Sequence, residues 1–209
     1  MFALAATVLV VLLLLLTSEW LWRRHEVDPE YTRKFVHITV GSFVAFWPLF
    51  LSRKEIVGLS LAFVIVVLAS QYFQVFRAVH SVQRPTWGEL LFAVSVGALA
   101  YVSHDGWVYL AALLRMSLAD GLAAIVGTKF GKTTRYYSFG HAKSAVGSAT
   151  FFITSLAILA GYSIFTPNPF SLWFFGIAAG ATLLEALAIR GLDNLLVPVL
   201  VAVALNPLR

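Results

Sequence analysis

The stretch from Asp120 to Ser148 is the densest run of reactive side chains in this 209-residue sequence. It reads D-G-L-A-A-I-V-G-T-K-F-G-K-T-T-R-Y-Y-S-F-G-H-A-K-S-A-V-G-S. Asp120 stands near the end of a long apolar run, and a carboxylate in such a place is costly and a functional candidate by default. Gly127, Gly131, Gly140 and Gly147 then break the chain into a flexible segment carrying Lys129, Lys132, Arg135 and Lys143, with Ser144 and Ser148 at its end. Glycines let backbone N–H groups approach an anion, and lysines neutralise it. This predicts a phosphate-binding loop at about 128–146. A carboxylate beside such a loop suits a divalent metal that bridges phosphates. The plain alternative is a small-residue packing helix followed by a basic loop. Gly127-x-x-x-Gly131-Lys132-Thr133 falls one residue short of a P-loop and follows a membrane-type helix, so it is not read as one.

Three further clusters carry chemistry. Arg33 and His37 are four apart and share a helix face, and Lys34 lies three before His37. Two cations and an imidazole could grip a phosphate, or His37 could move a proton. Their plain alternative is a snorkelling basic stop signal with a hydrogen-bonded histidine. Arg84 precedes Gly88-Glu89, where Glu89 heads an apolar run as a helix N-terminal acid, a metal ligand or a base. Glu185 lies within an apolar run and needs a partner. Asp193 and Asn194 offer hard oxygen ligands suited to Mg²⁺, or cap a helix. Arg115, deep in an apolar run, is expected to pair with Asp120 or Glu185.

The elements that must position these residues are membrane helices. The chain is 60% hydrophobic and 12% charged, with mean hydropathy +0.85. That excludes an ordinary soluble enzyme, a disordered segment and a free nucleic-acid binder. The absence of Cys excludes disulfides and thiolate sites. Apolar runs occur at Phe2–Trp22, Phe35–Leu51, Ile56–Phe76, Gly88–Val102, Gly106–Val126, Val146–Phe165, Phe170–Ile189 and Asp193–Leu205. The last would cover only about 20 Å of a core about 30 Å thick. The expected fold is therefore all-α, one integral membrane domain over residues 1–209, a polytopic bundle of seven or eight transmembrane helices. The first run is not read as a secretory signal, because its charges follow the apolar stretch and no cleavage pattern is evident. With the N-terminus outside, eleven Lys and Arg fall in inside loops and three in outside segments. The clusters above then all border the cytoplasm, in the plasma (inner) membrane of a prokaryote. A transporter would scatter such groups along a path to both faces, so a transporter or non-catalytic scaffold is the weaker reading.

The ordered set R-K-x-x-H, G-E, A-D-G-x-A-A-x-x-G-x-x-F-G-K, K-S-x-x-G-S and E-x(7)-D-N-x-x-x-P, from about Arg33 to Pro198, resembles the CTP-dependent polyprenol kinases. These include dolichol kinase, phytol kinase and the CTP-using diacylglycerol kinases, and are related to the phosphatidate cytidylyltransferases. The resemblance implies an enzyme that moves the γ-phosphoryl of CTP, with Mg²⁺, onto a long-chain alcohol. It makes Asp120 the acid of the D-x-x-A motif. It makes Lys132, Lys143 and Ser144 nucleotide-phosphate residues, Gly127, Gly131 and Gly147 the loop glycines, and Asp193 with Asn194 the C-terminal polar pair. Gly121 stands where the family usually has Pro, and Val146 where it commonly has an acid. The short Arg190–Pro198 region favours the kinase branch over a cytidylyltransferase making a CDP-lipid. The expected catalytic residues are Asp120, Glu89 and His37, with metal ligands from Asp120, Asp193, Asn194 and Glu185. Nucleotide binding is expected from Arg33, Lys34, Gly127, Lys129, Gly131, Lys132, Lys143, Ser144, Gly147 and Ser148. The expected partners are CTP, a lipid alcohol and membrane lipids, with no nucleic acid and with oligomerisation left open.

Overall fold

Local sequence signals set the ends of the helices. In the computed structural model, which describes residues 2–23, 29–73, 87–139 and 141–207, α1 (Phe2–Arg23) is followed by α2 (Pro29–Ala45) and α3 (Arg53–Phe73). The helix α2 starts at a proline, which suits a first helical position, and ends shortly before Pro48, which cannot continue it. It therefore begins six residues earlier than the apolar run predicts, and Arg33 and Lys34 sit on helix with His37, as their spacing predicts. Next come α4 (Gly88–Val102) and α5 (Gly106–Leu114); the Asp105 carboxylate caps α5 by accepting from the N–H groups of Trp107 and Val108, both at 2.9 Å. A π-helical turn, Arg115–Ala119, joins α5 to α6 (Asp120–Phe130) as one rod of 25 residues. The chain ends with α7 (Ala145–Phe165), α8 (Leu172–Leu187) and α9 (Asp193–Leu205). Arg84 and Gly140 lie outside the described residues.

Among the described residues the fold is all-α apart from one small hairpin. Among the described residues three helices are long and apolar enough to cross a membrane: Phe2–Trp20, Gly106–Phe130 and Ala145–Phe165. Helices α4, α8 and α9 are shorter apolar segments. The outer faces carry large apolar side chains, such as Leu13, Leu16, Ile65, Ile153 and Leu183, as expected where the solvent is lipid. The inside is built from Leu99, Leu113, Phe151, Phe174 and Val201 on α4, α5, α7, α8 and α9. The short helix α9 is a central element: Val197, Val201, Ala202 and Leu205 are buried against α4, α5 and α8.

Two glycines bring α2 against the rod. A Cβ on Gly41 would collide with Ser117 of the π turn, and one on Gly121 would collide with Ile38. Close approach of membrane helices at small residues is the general rule, because packing rather than a hydrophobic drive holds them. Lys34, Ile38 and Gly41 share one face of α2, so these contacts aim Lys34 and His37 at the first turn of α6.

The segment expected as a flexible loop is ordered. After the 3₁₀ turn Lys132–Thr134, β1 (Arg135–Ser138) pairs antiparallel with β2 (His141–Ser144), with Tyr136 opposite Lys143 and Arg135 opposite Ser144. Phe139 takes a positive φ of 45° at the turn. Ser144 then caps α7, its Oγ accepting from the Gly147 N–H at 3.1 Å.

Candidate active site

Residues from four distant parts of the chain meet at one end of the bundle. Asp120 opens α6 just after the π turn, Glu185 stands in the last turn of α8, and Asp193 opens α9. One carboxylate oxygen from each lies within 4.8 Å of the other two. Each carboxylate repels the other two, so the group is stable only with cations beside it. Lys34 supplies one, its Nζ donating to Asp120 Oδ2 at 2.6 Å. The His37 Nε2 lies 2.7 Å from the Met116 carbonyl and 3.3 Å from Asp120 Oδ2. Both neighbours are acceptors, so that nitrogen carries a proton. Lys143 of β2 supplies the second ammonium, donating to the carboxylate of Glu185 and to its backbone carbonyl, the latter at 2.9 Å. Burial pulls the Lys143 pKa down, but the carboxylates of Glu185, Asp193 and Asp120 outweigh it and hold the ammonium above the usual lysine value.

Around these groups lies an open polar cavity of about 590 Å³, walled by the start of α2, by α6, by the hairpin and by the α8–α9 turn. Arg33, Arg135, His141 and Arg190 add further cationic or titratable groups to its wall. Arg190 and Gly191 turn the chain with positive φ of 52° and 88°, and the Arg190 carbonyl accepts from the Trp87 N–H at 3.0 Å, tying the turn to the start of α4. Three hard carboxylates beside a cationic wall fit a Mg²⁺ ion and a phosphate chain: oxygen donors for the metal, ammonium and guanidinium groups for the anion.

The structure sorts the sequence-predicted residues. Asp120, Glu185, Asp193, Lys34, Lys143 and Ser144 come together, with Arg33, Gly127, Gly147 and Ser148 on the same cavity wall. The glycines do a different job from the one their spacing predicts. The Gly131 N–H is bonded to the Gly127 carbonyl at 2.9 Å and that of Gly147 to Ser144, so neither amide is presented to an anion. A Cβ on Gly127 would stand 2.7 Å from Ser144 Oγ and 3.2 Å from Gly147 Cα. These glycines clear space for the Ser144 cap and for α6 against α7. Ser148 is held by Tyr136, with the two hydroxyls 2.8 Å apart. Lys129 and Lys132 are exposed and do not line the cavity; Lys129 sits over the Phe130 ring at 5.2 Å.

Asn194 faces elsewhere than its neighbour Asp193. Its amide nitrogen donates to the Gly88 carbonyl at 2.8 Å, latching α9 to α4. Glu89 and His37 line a second, apolar groove together with Asn194. Arg115 is fully buried but, among the described residues, is not ion-paired with Asp120 or Glu185, contrary to expectation. Its Nη2 donates to the Ser155 carbonyl at 3.1 Å, while Nε and Nη1 have no hydrogen-bond partner. Arg190 and His141 were missed from the sequence; the Arg190-Gly191 pair after an intramembrane acid was the available signal for the first.

The helical bundle thus gathers a carboxylate trio and a cationic wall at one end, the donor types that a divalent cation and a polyanion need. The chain is 33% identical over 207 residues to a phytol kinase of Synechocystis sp., a match that covers 93% of this chain and 85% of that protein. It belongs to the polyprenol and phytol kinase family. No family model matches the chain, and no solved structure matches it.

Proposed function

We propose that the protein is a lipid kinase that transfers the γ-phosphoryl group of CTP to a prenol-type alcohol. In this reading the helical rods cross the inner membrane of a prokaryote with the N-terminus outside, and the polar cavity opens to the cytoplasm. The observation that carries it is the meeting of Asp120, Glu185 and Asp193 with Lys34 and Lys143 in one cavity, in a chain of this family.

Lys143, Arg33, Arg135 and Arg190 hold the phosphates of the nucleotide by charge-assisted hydrogen bonds. Asp120, Glu185 and Asp193 would hold Mg²⁺, which when bound neutralises charge between the β- and γ-phosphates. The alcohol oxygen attacks the γ-phosphorus, the bond from that phosphorus to the β-phosphate oxygen breaks, and CDP leaves. The alcohol proton passes to Glu89. His37 is the poorer base, because its Nε2 is already a donor between the Met116 carbonyl and Asp120; it orients Asp120 instead. Such a reaction needs positioning and charge stabilisation more than covalent chemistry, and rigid helix ends supply the positioning.

The test uses purified full-length protein, Mg²⁺, a panel of prenols and diacylglycerol, and CTP labelled at either the α or the γ position. Transfer of γ label with release of CDP is the expected result. Transfer of α label with release of pyrophosphate, from a phosphorylated lipid, would establish a cytidylyltransferase instead.

A further inference from the structure

The groove that holds Glu89 and His37 lies beside the polar cavity without being part of it. Its enclosed space is about 70 Å³, and its apolar walls come from Val36, Val40, Phe63, Val66 and Phe92, with Leu15 of α1 against them. Its polar residues are Arg33, His37, Ser70, Glu89 and Asn194. These come from the beginning of α2, the end of α3 and the first residues of α4 and α9, so they gather at one end of the groove.

Three seams join that end to the polar cavity. Arg33 borders both spaces. His37, on the groove wall, stands 3.3 Å from Asp120 on the cavity wall, and Asn194 in the groove directly follows Asp193 in the cavity.

We propose that this groove is the acceptor subsite, which takes the hydroxyl-bearing end of a prenol-type alcohol and reads only the first part of its chain. The inference rests on the lipid-kinase reading and adds to it the place and reach of substrate recognition. A hydroxyl both donates and accepts, which suits a mouth offering the Glu89 carboxylate as acceptor and cationic donors beside it. The walls behind the mouth have nothing to offer but apolar contact. Their depth follows from helix geometry: Arg33 to Val40 on α2 and Phe63 to Ser70 on α3 are each seven residues, or about 10 Å at 1.5 Å per residue. That is roughly a third of the hydrocarbon thickness of a bilayer. The remainder of a long chain must therefore leave the groove and lie among lipid tails. Recognition is then sensitive to saturation and branching near the hydroxyl and indifferent to length beyond the groove.

The experiment uses the full chain in lipid nanodiscs, a prenol carrying a photoreactive diazirine close to its hydroxyl, and steady-state kinetics of groove variants. Expected are crosslinks on Val36, Val40, Phe63 or Phe92, competed by unlabelled prenol. Val66→Trp and Val40→Trp are expected to raise KM for the alcohol about tenfold or more while leaving KM for CTP within about twofold. Leu183→Trp, on the outer face of α8, changes neither. Val66 is partly exposed, so its variant remains readable where Val40→Trp fails to fold. Prenols that differ only at the far end of the chain share one kcat/KM. Phosphoryl transfer with crosslinks confined to α7 or α8, or with alcohol KM unchanged in folded Val66→Trp, overturns the groove and leaves the kinase reading standing. Competed groove crosslinks without any transfer from CTP leave the groove standing and overturn the kinase reading.

Discussion

Replacing Asp120 by Asn separates a structural carboxylate from a functional one, because the charges around it nearly balance. At an effective dielectric of about 20, two like charges 4.8 Å apart repel by about 3.5 kcal/mol, and Asp120 has two such neighbours. On the same scale its attraction to Lys34 at 2.6 Å is worth about 6 kcal/mol. Removing the charge therefore takes away repulsions and an attraction of similar size, and the isosteric amide keeps an oxygen for Lys34 to donate to. The folded protein should lose no more than about 2 kcal/mol. The reaction should suffer far more. Loss of one preorganised charge-stabilising group costs about 10²- to 10³-fold in kcat, and the Mg²⁺ concentration for half-maximal rate should rise about tenfold or more. The assay is alcohol phosphorylation across a Mg²⁺ titration, read beside thermal unfolding in the same detergent. An Asp120→Asn protein with unchanged Mg²⁺ dependence and a rate within about threefold of the parent would refute the reasoning.

Other outcomes follow from the same geometry. Lys143→Met leaves Glu185 buried without its partner, which should cost about 3–5 kcal/mol; adding Glu185→Gln should restore the melting temperature but not the rate. Lys129→Ala and Lys132→Ala, outside the cavity, should each leave KM for the nucleotide within about threefold, and a larger effect would place the hairpin base in contact with substrate. Gly121→Ala forces a methyl against Ile38 and should cost about 1–3 kcal/mol, with loss of rate as Lys34 and His37 are pushed off Asp120. The raised pKa of Lys143 means that its stabilising contribution is fully present below the ordinary lysine pKa of about 10.4 and is lost as pH rises through the higher folded value. Nucleotide affinity measured between pH 7 and 9.5 should therefore show no step that Lys143→Arg removes.

Much of the architecture was legible because lipid imposes a single rule on the backbone: α4 begins and ends where its apolar run does, and α5 starts at the residue after its Asp cap. The hairpin was not legible, since four-residue strands leave little alternation to read and Tyr136 and Lys143 mattered only once paired. The chemistry of Asp120 and Glu185 was visible as carboxylates that lipid would not tolerate unpaired, and that of Asp193 as a hard oxygen ligand. Which lysines reach the cavity was not, because that depends on where β2 docks: Lys143 points to Glu185, while Lys129 and Lys132 stay outside. The packing role of the glycines was not legible for a similar reason. Spacing cannot distinguish an amide offered to an anion from a missing Cβ that admits Ser144.

The central claim is that carboxylates from α6, α8 and α9 and cations from α2 and β2 form one metal–nucleotide pocket. Electron paramagnetic resonance with Mn²⁺ in place of Mg²⁺ tests it directly. With CTP present, the account predicts a protein-bound Mn²⁺ coupled to ³¹P nuclei, with binding weakened in each of Asp120→Asn, Glu185→Gln and Asp193→Asn. Mn²⁺–nucleotide binding that none of the three substitutions alters would contradict it.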